Sequence, residues 1–281
     1  MTQDVIFYYR KIFRKLMKFL QEREIATKTM LKEVEIVKRG SNSPPLYIDE
    51  LIKGVNDKFL NLRKENHLKD VKSKLTKTQI KIWEYIVPRK LVELHYATNH
   101  EHPNKPLKRI VFDIDRKDIP AEKAQVVALK LIEQIQKDKT FPIKYKIFPL
   151  WTGNSFHIYL LLQRSVTHDF YEKKIHIEPN QDESFTGKWV RAITKELKEI
   201  KVAQSHEKKK GYIIIDPSQS PSGKITRAPF SIYAKSSSTI KGIALPLTIE
   251  DLKKKNLIKE LRSYTTEKVI KNINKLSKKI P

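Results

Sequence analysis

Residues 110–120 read IVFDIDRKDIP, and the reading of this stretch decides the fold. Ile110, Val111, Phe112 and Ile114 are β-branched or aromatic, the side chains that suit a packed, pleated strand. Asp113 and Asp115 interrupt them two residues apart, so in a strand both carboxylates leave by the same face. Two like charges side by side are costly unless a cation lies between them. Paired carboxylates at a strand end suit Mg²⁺ or Mn²⁺, hard ions that prefer oxygen ligands. Alone the D-x-D pattern is weak, because metal-dependent sugar transferases and solvated strand faces carry it too. Asp118, past the strand and ahead of a helix, reads as a turn or capping residue.

Around this strand the chain alternates short apolar runs with helical periods. KLVELHYAT, KYKIFPLW, SFHIYLLLQ and GYIIIDP are further strand candidates. Between them, 120–139 predicts a helix, with Pro120 in its first turn and an apolar stripe of Val126, Leu129, Ile132 and Ile135. A second helix fits 188–206. The expectation is an α/β or α+β core over 86–250. Ahead of it, 1–85 reads as a helical N-terminal region that opens with an amphipathic helix over 4–25. Val5, Tyr9, Ile12, Phe13, Leu16, Phe19 and Leu20 form its apolar face. Behind the core, 251–281 reads as a basic helical tail with ten Lys or Arg against three acids. Val269, Ile270, Ile273, Leu276 and Ile280 give the tail one apolar face.

Charge and composition narrow the function. The chain has 57 Lys plus Arg against 32 Asp plus Glu, a net charge of +25 that points to a polyanionic partner, nucleic acid first among them. The absence of cysteine removes disulfides, thiolate zinc sites, iron–sulfur clusters and cysteine nucleophiles, and no zinc is expected. No apolar run approaches the ~18 residues of a membrane span. Basic residues interrupt the N-terminal apolar positions throughout, unlike a signal peptide. The expectation is a cytoplasmic protein, held with the DNA and away from membranes.

Two more stretches carry chemistry. In WTGNSFHIYLLL (151–162) the turn Thr152-Gly153-Asn154-Ser155 leads straight into an apolar strand. Such a turn lets backbone N–H groups approach phosphate oxygens. Ser155 and His157 share a face, and His157 reads either as a triphosphate donor or as a core histidine. In YIIIDPSQSPSGKITRAPFSIYAKS (212–236) an apolar run ends at Asp216, a third carboxylate at a strand terminus. Arg227, Ser231 and Lys235 follow, groups of the kind that hold phosphate, although two of them read equally as surface charge in so basic a chain.

An hhhDhD strand, a small-residue turn with histidine about forty residues on, and hhhD followed by R-x-P-x-S-x-x-x-K together resemble the archaeo-eukaryotic primase superfamily. RIVFDIDRKDIP is similar to the first motif of the archaeal primase small catalytic subunit, and WTGNSFHI to that family's SGRGYHI turn. KITRAPFSIYAK is also similar to the APYSLRAR segment of bacterial end-joining polymerase domains. The sequence departs from the family at Tyr233, where histidine is common, and in lacking any cysteine for a zinc knuckle. His95, His100 and His102 are read as surface loop.

The resemblance implies a fold and a chemistry. The core would be an antiparallel sheet related to the RNA-recognition fold, with packed helices. Two Mg²⁺ or Mn²⁺ ions would be held by Asp113, Asp115 and Asp216. A nucleoside triphosphate would be held by Thr152, Gly153, Asn154, Ser155, His157, Arg227, Ser231 and Lys235. The first expectation is a DNA primase, a replication nucleotidyltransferase that makes short primers on single-stranded template, with a larger accessory subunit as a candidate partner. The alternatives are a gap-filling or end-joining polymerase with the same site, and a catalytically inactive nucleic-acid-binding subunit.

Overall fold

The computed structural model describes residues 4–281 apart from 32–33, 104, 177–182, 208, 235 and 237–238. In chain order the helices are α1 (Ile6–Leu20), α2 (Ile48–Gly54), α3 (Asp57–Glu65), α4 (Leu68–Val71), α5 (Lys77–Tyr85) and α6 (Ala121–Lys137). They continue with α7 (His168–Lys174), α8 (Phe185–Glu196), α9 (Ile249–Leu252), α10 (Leu257–Arg262) and α11 (Thr266–Ser277). The strands are β1 (Ile25–Leu31), β2 (Val34–Lys38), β3 (Val92–Ala97), β4 (Leu107–Asp115), β5 (Tyr145–Trp151) and β6 (Phe156–Val166). After them come β7 (Val202–Gln204), β8 (Ile213–Asp216), β9 (Ile225–Arg227), β10 (Ile232–Ala234), β11 (Ile240–Ile243) and β12 (Leu245–Pro246). These elements fall into two compact units, each built from separated pieces of chain.

The first unit comprises 1–97, 225–244 and 264–281. Its sheet has the order β2-β1-β3-β9 with antiparallel neighbours, and β10 and β11 pair beside it as a second small sheet. All seven apolar positions expected of α1 are buried, and Tyr9 donates its hydroxyl to the Val92 carbonyl of β3 at 2.7 Å. Arg63 of α3 is fully enclosed, paired with Asp4 at 2.7 Å and lying over the rings of Phe59 and Trp83. The reading of 1–85 as helical is corrected at 25–31 and 34–38, which form the antiparallel strands β1 and β2. The reason is non-local: β1 pairs with β3, more than sixty residues on, so its strand state comes from a distant partner.

The second unit comprises 98–224 and 245–263. Its six-stranded sheet runs β12-β5-β6-β4-β8-β7, antiparallel throughout except for the parallel pair β7–β8. α6 packs on β4 and β6, and α8 packs on α6 and β7. Phe112 of β4 meets Trp189 of α8 edge to face, with ring centroids 5.8 Å apart. Phe112 therefore marks the helix-covered face, and Asp113 and Asp115, of opposite parity, leave by the other. The stripe of α6 is rotated from the one expected: Val126 is exposed, and Ala121, Ala124, Val127, Ala128, Leu131, Ile132 and Ile135 are buried. Alanines on the inner face let the helix lie close to the sheet, a contact that a count of large apolar residues does not reveal.

The tail is three helices. α9 and α10 belong to the second unit, and α11 to the first, where it packs on α1 and has Val269 and Leu276 buried. No helix among the described residues is long and apolar enough to cross a membrane.

Candidate active site

The sheet register builds the site. Asp113 of β4 is the direct partner of His157 on β6 and of Asp216 on β8, so the three lie in one row across adjacent strands. Direct partners share a face, and Asp115 shares it with Asp113. His157 Nε2 stands 3.3 Å from Asp113 Oδ1, and its Nδ1 is 3.4 Å from the Tyr159 hydroxyl. His157 and Asp216 are buried, and Asp113 is partly open.

The turn before β6 is shaped and braced. Gly153 has φ +95°, a left-handed conformation that favours glycine. Ser155 N–H donates to Thr152 Oγ1 at 3.1 Å, Thr152 N–H donates to the Ser155 carbonyl at 2.9 Å, and the Ser155 hydroxyl donates to the Ile114 carbonyl. Arg116, immediately after β4, donates to the Asn154 carbonyl at 2.8 Å and to Asn154 Oδ1 at 2.6 Å. The turn and the carboxylate strand are thus tied into one piece. Arg116 was not singled out from the sequence; its place directly after D-x-D was the available signal.

Asp216 is held from three directions. Ser218 N–H donates to Oδ1 at 2.8 Å, Ser218 Oγ–H to Oδ2 at 2.8 Å, and His206 Nδ1 lies 2.8 Å from Oδ1. Beneath this loop Asn99 uses its whole amide: it donates to the Arg109 and Ser220 carbonyls and accepts from the Lys108 and Arg109 N–H groups, at 2.7–3.0 Å. Ser220 accepts from Val111 N–H at 2.9 Å and donates to the Pro217 carbonyl at 2.8 Å. Tyr171 donates to the same carbonyl at 3.0 Å, and burial pushes its phenol well above its ordinary value. Asn99, Ser220 and His206 were invisible in the sequence, because only the fold brings them to the carboxylates. Asp118 sits in a loop contact, accepting from Gly211 N–H at 3.2 Å.

The remaining candidates belong to the other unit. Arg227 pairs with Glu93 at 2.8 Å, donates to the Ile232 carbonyl at 2.8 Å and lies over the Tyr233 ring. Ser231 is fully buried, accepting from Leu94 N–H at 2.8 Å and donating to the Ile232 carbonyl at 3.0 Å. Lys235 lies outside the described residues. The surface-loop reading of His95 is corrected. It is buried on β3, directly opposite Arg227 on β9 and 3.9 Å from Glu93.

Asp113, Asp115 and Asp216 are all hard oxygen donors, which fits a magnesium or manganese ion. Among the described residues no three His, Asp or Glu side chains form a ready-made cage; Asp113 and Asp216 each face a histidine.

A mixed α+β chain with carboxylates in register on neighbouring strands has the outline of a nucleotidyltransferase. The family model described as "LigD, primase-polymerase domain" matches residues 2–279, and this chain belongs to that family of DNA-directed nucleotidyltransferases. The family lies in the archaeo-eukaryotic primase superfamily, as the three motifs imply. Among solved structures, the polymerase domain of Mycobacterium tuberculosis ligase D in complex with DNA is similar, at TM-score 0.58 and 15% identity. The alignment covers 99% of this chain and 92% of the mycobacterial one, so the likeness is one of fold over nearly the whole length. No curated protein matches.

Proposed function

We propose that this chain is a template-dependent polymerase that extends 3′ ends and fills gaps in DNA, with Asp113, Asp115 and Asp216 as its metal ligands. The observation that carries the reading is the row His157–Asp113–Asp216 across three adjacent strands, in a chain that a primase-polymerase model spans. The reaction joins a 3′ oxygen to the α-phosphorus of a nucleoside triphosphate and releases pyrophosphate. Divalent ions at the three carboxylates would supply a lowered pKa for the 3′ hydroxyl and neutralisation of the leaving group. The protein's own share is positioning. His157 offers a ring N–H beside Asp113, where the triphosphate would meet the carboxylates. The 152–155 turn offers backbone N–H groups near it, and Arg116 and Asn99 hold these parts in place before substrate arrives. Arg227, Ser231 and Lys235 are also proposed as phosphate contacts.

Primer synthesis is the second reading, favoured by the likeness of RIVFDIDRKDIP to the archaeal primase motif. The family match and the KITRAPFSIYAK segment favour end extension. Full-length protein with Mg²⁺ or Mn²⁺, offered gapped duplex or unprimed single-stranded DNA with ribo- or deoxynucleotides, separates the two. Products on the gapped duplex alone support the first reading, and products on unprimed template support the second. No incorporation on either, with the single-stranded DNA still bound, would indicate the inactive binding subunit.

A further inference from the structure

The third carboxylate has a neighbour that no motif contains. β7 and β8 are the parallel pair of the sheet, with Gln204 opposite Ile215, so the chain leaves both strands at the same end. Asp216 is the next residue on one side and His206 lies two residues on at the other. His206 Nδ1 lies 2.8 Å from Asp216 Oδ1, and a carboxylate only accepts, so the imidazole is the donor. Its Nε2 is 3.0 Å from His176 Nε2, and the two rings stack with centroids 4.9 Å apart. His176 Nδ1 in turn lies 3.4 Å from Glu172 Oε2. Tyr171, in the same helix as Glu172, binds the Pro217 carbonyl, which fixes α7 to the loop after Asp216.

We propose that His206 is a positioning residue for the polymerase reaction, orienting the Asp216 carboxylate for a divalent ion, with His176 fixing the plane of its ring. The proposal rests on the reading of Asp216 as a metal ligand. A carboxylate offers about four lone-pair sites. Oδ1 receives two donors, His206 Nδ1–H and Ser218 N–H, and Oδ2 receives one, Ser218 Oγ–H. That arrangement leaves Oδ2 with the open lone pair and stops the group from rotating. Without His206, Oδ1 and Oδ2 become nearly equivalent and the ligand must be ordered when the ion binds. Donors behind a metal ligand typically matter ~10–100-fold in metal affinity.

Mn²⁺ binding to the full-length protein in the presence of a non-hydrolysable nucleoside triphosphate, read by loss of the free-ion electron paramagnetic resonance signal, tests this without catalysis. His206→Ala should weaken Mn²⁺ at least ~10-fold. His206→Asn, whose amide nitrogen falls near the position of Nδ1, should recover most of the affinity. His206→Gln, whose nitrogen falls near Nε2, should not. Wild-type Mn²⁺ affinity in His206→Ala, or equal losses in the Asn and Gln variants, would overturn the proposal. If the alanine variant fails to fold, the Asn and Gln pair decides. Asp216→Asn binding Mn²⁺ as well as wild type would overturn the ligand assignment itself, a result distinct from failure at His206.

Discussion

Asp113 is the residue on which the site turns, since it has a histidine on one side in the sheet and a carboxylate on the other. Replacing Asp113 or Asp115 with Ala removes a proposed ligand and also removes repulsion among three carboxylates. Turnover should fall at least ~100-fold, the scale of losing one preorganised electrostatic group, while the melting temperature holds or rises. Wild-type turnover in either variant would refute the assignment. His157→Ala should raise the nucleotide KM and leave template affinity unchanged, because its Nε2 lies beside Asp113, where the triphosphate is proposed to meet the carboxylates. An unchanged KM with a lowered melting temperature would make it a core histidine only. These residues were legible because a two-residue period and an abrupt carboxylate in an apolar run survive in one dimension. Ser231 was read as a candidate phosphate contact from its hydroxyl and its place in the R-x-P-x-S-x-x-x-K segment, which does not reveal the bonds of that hydroxyl to Leu94 N–H and the Ile232 carbonyl.

At the scale of elements, Asp138 joins the end of α6 to α8. Burial alone would push this carboxyl up. Donation from Thr140, Lys188 and Trp189 outweighs that and brings it to about 2, from an ordinary 3.8. A depressed carboxyl stabilises the fold above its unfolded pKa and loses that contribution as pH falls through its folded value. Asp138→Ala should therefore lower stability at neutral pH by up to ~2 kcal/mol. The gap to wild type should stay constant down to about pH 4 and close toward pH 2, followed by denaturant titration across that range. A gap independent of pH would show that only packing was lost. The other element of interest is α11. Truncating it would strip α1 of its neighbour, so charge is the better probe. Lys271, Lys275 and Lys278 are exposed, and replacing all three with Ala should flatten the slope of log affinity for single-stranded DNA against log salt by roughly 2, at about 0.7 per phosphate. An unchanged slope would assign α11 to packing or to a protein partner.

At the scale of the molecule, neither unit is continuous in sequence. A fragment of residues 1–97 would carry β3 without β9 and α1 without α11. It should give poorly dispersed amide resonances and no cooperative melting transition. A sharp two-state transition in that fragment would show that the first ninety-seven residues fold by themselves. The net charge of +25 belongs to this scale too, since attraction to a polyanion sums over the whole surface.

The sequence by itself determined the strand that carries Asp113 and Asp115, the face of α1, the Gly153 turn and the class of chemistry. The first three depend on neighbours within a few residues, where side-chain period and backbone conformation act directly, and the class of chemistry on three motifs read together between 110 and 236. Only the tertiary structure decided the rest. It set Asp216 opposite Asp113 across a hundred residues of chain, buried His95 in a sheet, placed Asn99 under β4 and brought His206 to Asp216. The Asp113–Asp216 and His95–Arg227 pairs follow from strand pairing between distant segments, whose register is settled by packing across the whole sheet, and the contacts of Asn99 and His206 follow from where the paired strands hold the segments that flank them.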